Sequence, residues 1–112
     1  MSLADLFKNN STVLSPQDAK IIIEGSDKFV LLDVRTQAEY DEARIPGATL
    51  IPVDELGNRA AGELLDKRIP ILVYCRSGGR AGRAVQLLTE MGYAKARNIG
   101  GITTWPYKTI KR

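Results

Sequence analysis

Two short apolar runs stand out along the chain. One is Phe29-Val30-Leu31-Leu32-Asp33-Val34, broken late by a single acid, and the other is Ile69 to Tyr74, entered through Pro70. Runs this short and this continuously apolar predict strands covered on both faces, and proline is tolerated near a strand's beginning. The spacing elsewhere is helical. Leu56, Ala60, Leu64 and Leu65 predict one or two helices over residues 54 to 67, with Gly57 and Gly62 as weak points. Ala81, Ala84, Val85, Leu87, Leu88 and Met91 form an apolar face that predicts a helix ended by Gly92.

Turn and cap signals complete the order of elements. Ser15-Pro16-Gln17-Asp18 supplies an N-cap, a proline for the first helical position and an acid near the positive end, so a helix is predicted from Pro16 to about Glu24, stopping near Gly25. Thr36 and Glu39 have capping-box spacing and predict a short helix over Gln37 to Glu42. Ile45-Pro46-Gly47-Ala48 reads as a turn into a brief extended piece, Thr49 to Ile51. Ala94 to Ile99 reads as a last strand, Gly100-Gly101 as a turn, and Thr103 to Lys111 as a final short helical piece. Helices and strands that alternate through short connections predict an α/β fold, a mostly parallel sheet with helices on both faces. Binding sites in such sheets lie beyond the C-terminal ends of the strands, where Asp33, Arg35 and Cys75 fall.

Length and composition narrow the class. The chain has 112 residues, which suits one domain, 1–112, with no linker or repeat. Its one cysteine and lack of histidine exclude an internal disulfide and leave no soft ligand set for zinc, so neither a metal nor a cofactor is expected. Met1 to Asn10 lack the apolar core of a secretory signal, and no run reaches the roughly 20 apolar residues that cross a bilayer. A cytoplasmic protein without a membrane partner is the expectation. Net charge is +3, but residues 1–56 carry 5 basic and 10 acidic side chains, against 11 and 3 in residues 57–112. A positive second half can steer small anions. Its basic residues are scattered, without aromatic interleaving, so no nucleic-acid partner is expected.

The second strand leads into Cys75-Arg76-Ser77-Gly78-Gly79-Arg80 and then a helix. The glycine pair permits tight or left-handed backbone, so successive N–H groups can converge on one point, and the helix start adds partial positive charge. With Arg76 and Arg80 this is a nest for an anion, and a field of that kind stabilises a cysteine thiolate without a histidine base. Three uses fit it: a thiolate attacking sulfur, a thiolate attacking phosphorus, or a passive phosphate nest. Neither a Walker spacing nor G-x-G-x-x-G is present. A good sulfur leaving group, unlike an alkoxide, needs little general acid help.

Four ordered motifs resemble those of single-domain rhodaneses, members of the thiosulfate sulfurtransferase-like superfamily. They are Leu32-Asp33-Val34-Arg35-Thr36-Gln37-Ala38-Glu39-Tyr40, Ile45-Pro46-Gly47-Ala48, the loop Cys75 to Arg80, and Asn98-Ile99-Gly100-Gly101-Ile102 with Trp105. The likeness spans about residues 15–107. It implies a five-stranded α/β domain in which Cys75 takes the outer sulfur of thiosulfate or a polysulfide, becomes a persulfide, and passes the sulfur to cyanide or a thiol. A protein-to-protein persulfide carrier, or a non-catalytic anion-binding or regulatory module, is the alternative. The loop has six residues where related arsenate reductases and phosphatases have one more, which favours sulfur over phosphorus. By the resemblance Cys75 is the nucleophile, and the backbone of Arg76, Ser77, Gly78, Gly79 and Arg80 binds substrate. Arg76 holds the sulfonate of thiosulfate at the rim. Arg80 binds substrate oxygens or anchors the loop to an acid elsewhere. Asp33 and Arg35 support the site, and Trp105 anchors the core. One departure is Ala43-Arg44 where the family often has Gly-His.

Overall fold

In the computed structural model, which describes residues 3–9 and 11–112, a four-stranded sheet carries the fold. The elements run α1 (Leu3–Leu6), α2 (Pro16–Glu24), β1 (Val30–Asp33), α3 (Gln37–Glu42), β2 (Ala43–Arg44), β3 (Thr49–Leu50), α4 (Val53–Glu63), β4 (Ile71–Cys75), α5 (Gly79–Glu90), β5 (Ala96–Gly101), a 3₁₀ turn (Ile102–Thr104) and β6 (Ile110–Lys111). The sheet order is β3-β1-β4-β5, with every pairing parallel. Beside β5, Val13 forms an isolated parallel bridge to Asn98, so the fifth sheet position is held by a short extended segment rather than a full strand. The reading of Met1 to Asn10 as lacking a signal core falls partly on Met1, Ser2 and Asn10, which lie outside the described residues.

The two-residue period of the central strands divides the core into two layers. Ile71, Val73 and Cys75 of β4 and Leu32 of β1 pack with Leu56 and Ala60 of α4 and with Ala81, Ala84, Val85 and Leu88 of α5. Leu72 and Tyr74, with Leu31 and Ile99, pack on the other face with Leu14, Ala19, Ile22 and Trp105. All five residues of β4 are buried, as its continuous apolar run predicts for a strand covered on both sides. Cys75 therefore enters the site from the middle of the sheet, on the α4/α5 face.

Both N-cap readings are realised. Ser15 Oγ accepts from the Asp18 N–H ahead of α2, and Thr36 with Glu39 forms a reciprocal capping box ahead of α3. Four expectations are corrected. The helix predicted over 54–67 is a single α4 ending at Glu63. Leu64 is buried just past its end, while Leu65 is 80 % exposed and takes no part in the core. The last strand begins at Ala96 and runs through Gly101, so Gly100-Gly101 is strand rather than turn. The helical piece of the terminal segment is confined to the 3₁₀ turn Ile102–Thr104. Pro106 lacks an N–H and disfavours helical backbone at Trp105, so after one 3₁₀ turn the chain extends and β6 pairs antiparallel with β2.

Candidate active site

β4 ends in a register shift between Val73 and Cys75, and the chain then leaves the sheet through the six-residue loop. Gly78 has φ of 109°, a value that glycine tolerates and L side chains rarely adopt, and it caps α5 from outside. This turns its N–H back onto the cysteine, where it donates to Cys75 Sγ at 2.9 Å. The first intrahelical bond of α5 runs from Gly82 N–H to Gly78 O, so the N–H groups of Gly79, Arg80 and Ala81 precede the ladder and contribute the positive end of the helix. The cradle around the sulfur is thus mainly backbone. Cys75 itself is only 1 % exposed.

Residues of β5 and of the turn that follows it hold the loop. Thr103 donates from its N–H (3.2 Å) and its hydroxyl (2.9 Å) to the Arg76 carbonyl. Asn98 donates from Nδ2 to Gly78 O at 3.1 Å and accepts at Oδ1 from the Gly100 N–H at 2.8 Å. Gly101 lies against the loop so closely that a Cβ there would collide with the Arg76 carbonyl.

The arginines of the motif divide sharply. Arg80 makes a two-pronged bond to Glu39, with Nη1–Oε1 2.7 Å and Nη2–Oε2 3.0 Å, so it anchors the loop to an acid, one of the two roles that the resemblance implies. The hydrogen bonds from Arg80 hold the Glu39 carboxyl at about 2, well below its ordinary value, and Thr36 adds to the effect. Glu39 in turn raises Arg80. Arg35 is buried with Asp33, 2.7 Å between Nη2 and Oδ2, and also donates to the Ala43 carbonyl at 2.6 Å. Burial opposes its charge, but the hydrogen bonds and charge of Asp33 outweigh that and hold its pKa above the usual value. Tyr74 lies beneath, its ring centre 5.5 Å from the guanidinium. Burial, then the Asp33 charge, push its phenol well above the ordinary range, and its oxygen accepts from the Ile45 N–H. Arg76 is exposed, and its guanidinium has no hydrogen-bond or ion-pair partner among the described residues. It lines a shallow cavity of about 220 Å³ beside the loop, together with Arg35, Glu39, Glu42, Ala43, Ile102 and Thr103. Ser77 is exposed at the loop's outer edge.

The predicted residues Cys75, Arg76, Ser77, Gly78, Gly79 and Arg80 therefore share one loop, and Asp33 and Arg35 sit behind its mouth. Glu39, Asn98, Gly101 and Thr103 are the partners that sequence reading did not assign to the loop. Their signal was present only in part: Glu39 belongs to the capping box, and Asn98 and Gly101 to the closing motif. Among the described residues no group of acid, histidine or cysteine side chains is arranged to hold a metal ion.

The class this architecture defines is an α/β domain whose parallel sheet delivers a buried cysteine into a short loop at a helix N-terminus. The particular family follows from comparison: a model of the rhodanese-like domain matches residues 15–107, and the chain belongs to that family. It is 38 % identical over 71 residues to the thiosulfate sulfurtransferase PspE of Escherichia coli, covering 63 % of this chain and 68 % of that one. It is 33 % identical over 81 residues to a sulfurtransferase of Allochromatium vinosum, covering 71 % and 74 %. The rhodanese-like domain of an Anabaena protein superposes with a TM-score of 0.81 at 28 % identity, covering 91 % of this chain and 80 % of that one. Other curated relatives are longer, and the chain spans 46 % of one from Bacillus subtilis and 24 % of one from Mycobacterium tuberculosis. Family membership supports activity of the sulfurtransferase type, with small sulfur anions or thiols as the class of reactant.

Proposed function

We propose that the chain is a thiosulfate or polysulfide sulfurtransferase that works through a persulfide on Cys75. The single observation that carries this reading is the Gly78 N–H donating to Cys75 Sγ at the head of α5, which sets the sulfur against a backbone donor at a helix N-terminus. In the first half-reaction the Cys75 thiolate attacks the outer sulfur of thiosulfate. A bond forms between the two sulfurs, the sulfur–sulfur bond of thiosulfate breaks, and sulfite leaves with its electron pair. In the second, cyanide or a thiolate attacks the outer persulfide sulfur, taking it as thiocyanate or as a new persulfide and returning the Cys75 thiolate. No proton need be donated to sulfite, which suits a site without histidine.

Burial of Cys75 favours a slender reactant whose terminal sulfur can reach down the loop. The loop amides would hold the charge, and Arg76, whose guanidinium is unpartnered among the described residues, is the residue placed to meet a sulfonate at the rim. Arg80 already spends its fork on Glu39 and acts by holding the loop. Asp33 and Arg35 act by fixing the end of β1 against β2. The test is a thiocyanate-release assay with thiosulfate and cyanide. The wild-type protein is expected to turn over, and Cys75→Ser is expected to be inactive while keeping its fold. Turnover retained by a folded Cys75→Ser variant would show that another atom carries the sulfur.

A further inference from the structure

Arg97 is a buried cation whose charge the described residues leave unneutralised. It lies in β5 and is only 6 % exposed. Its Nη1 donates to the carbonyls of Ala94 (3.1 Å) and Ala96 (2.9 Å), and its guanidinium stacks 4.8 Å from the centre of the Phe7 ring. Neither Nε nor Nη2 has an acceptor among the described residues, and Arg97 takes part in no ion pair there. The contrast with Arg35 is direct, since that arginine, 4 % exposed, is matched by Asp33. A buried charge is ordinarily paired because desolvation penalises it. In line with this, burial pulls the Arg97 pKa below its usual value.

A cavity of about 380 Å³ opens beside this side chain, lined by Ser11, Thr12, Thr89, Gly92, Ala94 and Arg97. No acid lines it. The hydroxyls of Thr12 and Thr89 make no hydrogen bond among the described residues and so are free to donate. Two further cations flank it: Lys67, whose Nζ donates to Met91 O at the Gly92 turn, and Lys95, whose Nζ lies 5.8 Å from the same Phe7 ring. A purely structural role, closing two carbonyls and covering Phe7, uses Nη1 and leaves Nε and Nη2, which keep access to solvent, without a protein acceptor among the described residues.

We propose that this cavity is a second anion site, in which the free edge of the Arg97 guanidinium and the hydroxyls of Thr12 and Thr89 hold a small tetrahedral oxyanion such as phosphate or sulfate. Nε and Nη2 form the planar fork that matches two oxygens of such a group. The site is separate from the reacting sulfur. Arg97 pairs with Leu72 near the start of β4, while Cys75 pairs with Gly101 at the other end of the sheet, about 10 Å further along by the rise of β4.

The test is an NMR titration with inorganic phosphate and, separately, sulfate, at ionic strength held constant with chloride. Saturable shifts are expected for the amides of Thr12, Gly92 and Ala94 and for the Arg97 Nε–H, unchanged in Cys75→Ser. Thr89→Asp places a carboxylate on the cavity wall and is expected to abolish those shifts, as is Arg97→Met. If Arg97→Met does not fold, Thr89→Asp carries the test by itself. Shifts that do not saturate, that persist in a folded Thr89→Asp, or that are confined to residues 76–80 would overturn the proposal.

Discussion

Glu39 shows how much one carboxylate can do at the residue scale. It closes the capping box of α3 through Oε1 and receives the fork of Arg80 from the loop on both carboxylate oxygens. Glu39→Gln removes the charge from both roles. It is expected to cost about 1–2 kcal/mol of stability, read from denaturant unfolding, and to slow turnover by loosening the loop. The pH dependence has a definite sign. Arg80 depresses the Glu39 pKa to about 2, so its contribution is fully present above the ordinary carboxylate value. It is lost as pH falls from the ordinary value toward about 2, because the unfolded chain binds the proton more readily across that window. Acid unfolding of the wild-type protein and of Glu39→Gln should therefore converge in that range, and a constant difference down to pH 2 would remove Glu39 as its source. Local signals of this kind were readable in the sequence, since Thr36 and Glu39 are three residues apart. The bond to Arg80 was not, because it joins residues 41 positions apart and depends on where α3 and α5 come together in space.

Elements meet at the site through contacts that a sequence states only as residue types. The strand run Phe29 to Val34 and the run ending at Tyr74 were legible from continuous hydrophobicity, and they place Asp33 and Cys75 correctly at strand ends. The terminal segment was not, because the pairing of β6 with β2 is set by antiparallel register rather than local preference. Asp33 and Arg35 tie the end of β1 to the start of β2 through the Ala43 carbonyl. This tie also accommodates Ala43-Arg44, because only the Ala43 carbonyl is used by Arg35, while Arg44 stacks 4.7 Å over the Tyr40 ring. Asp33→Ala would leave a buried guanidinium without its acid and is expected to destabilise the fold by about 3–5 kcal/mol, measurable by urea unfolding. Gly101→Ala tests the packing of β5 against the loop. The added methyl collides with the Arg76 carbonyl, so activity is expected to fall together with melting temperature, whereas Gly62→Ala, with open space around its Cβ position, should leave both nearly unchanged. Equal behaviour of the two variants would contradict the close approach of loop and strand.

At the scale of the whole molecule, the charge asymmetry between the two halves is partly cancelled where it matters. Folding brings Asp33 and Glu39 of the acidic half against Arg35 and Arg80, so the loop mouth retains Arg76 as its unpaired arginine, with Glu42 on the same cavity. Sequence totals show the asymmetry but not this cancellation, which depends on the sheet bringing residues 33–42 beside residues 75–80. Attraction of thiosulfate is accordingly expected to depend only weakly on salt. Arg76→Ala should raise KM severalfold with little change in kcat and remove most of the remaining salt dependence. A steep loss of rate with salt that survives in Arg76→Ala would place the steering charge elsewhere. Whether the sulfur of Cys75 carries the transferred atom is read by intact-protein mass measurement after incubation with thiosulfate or polysulfide. The expected result is a gain of one sulfur atom that cyanide removes and that Cys75→Ser does not acquire. A folded wild-type protein that acquires no sulfur from either donor would contradict it.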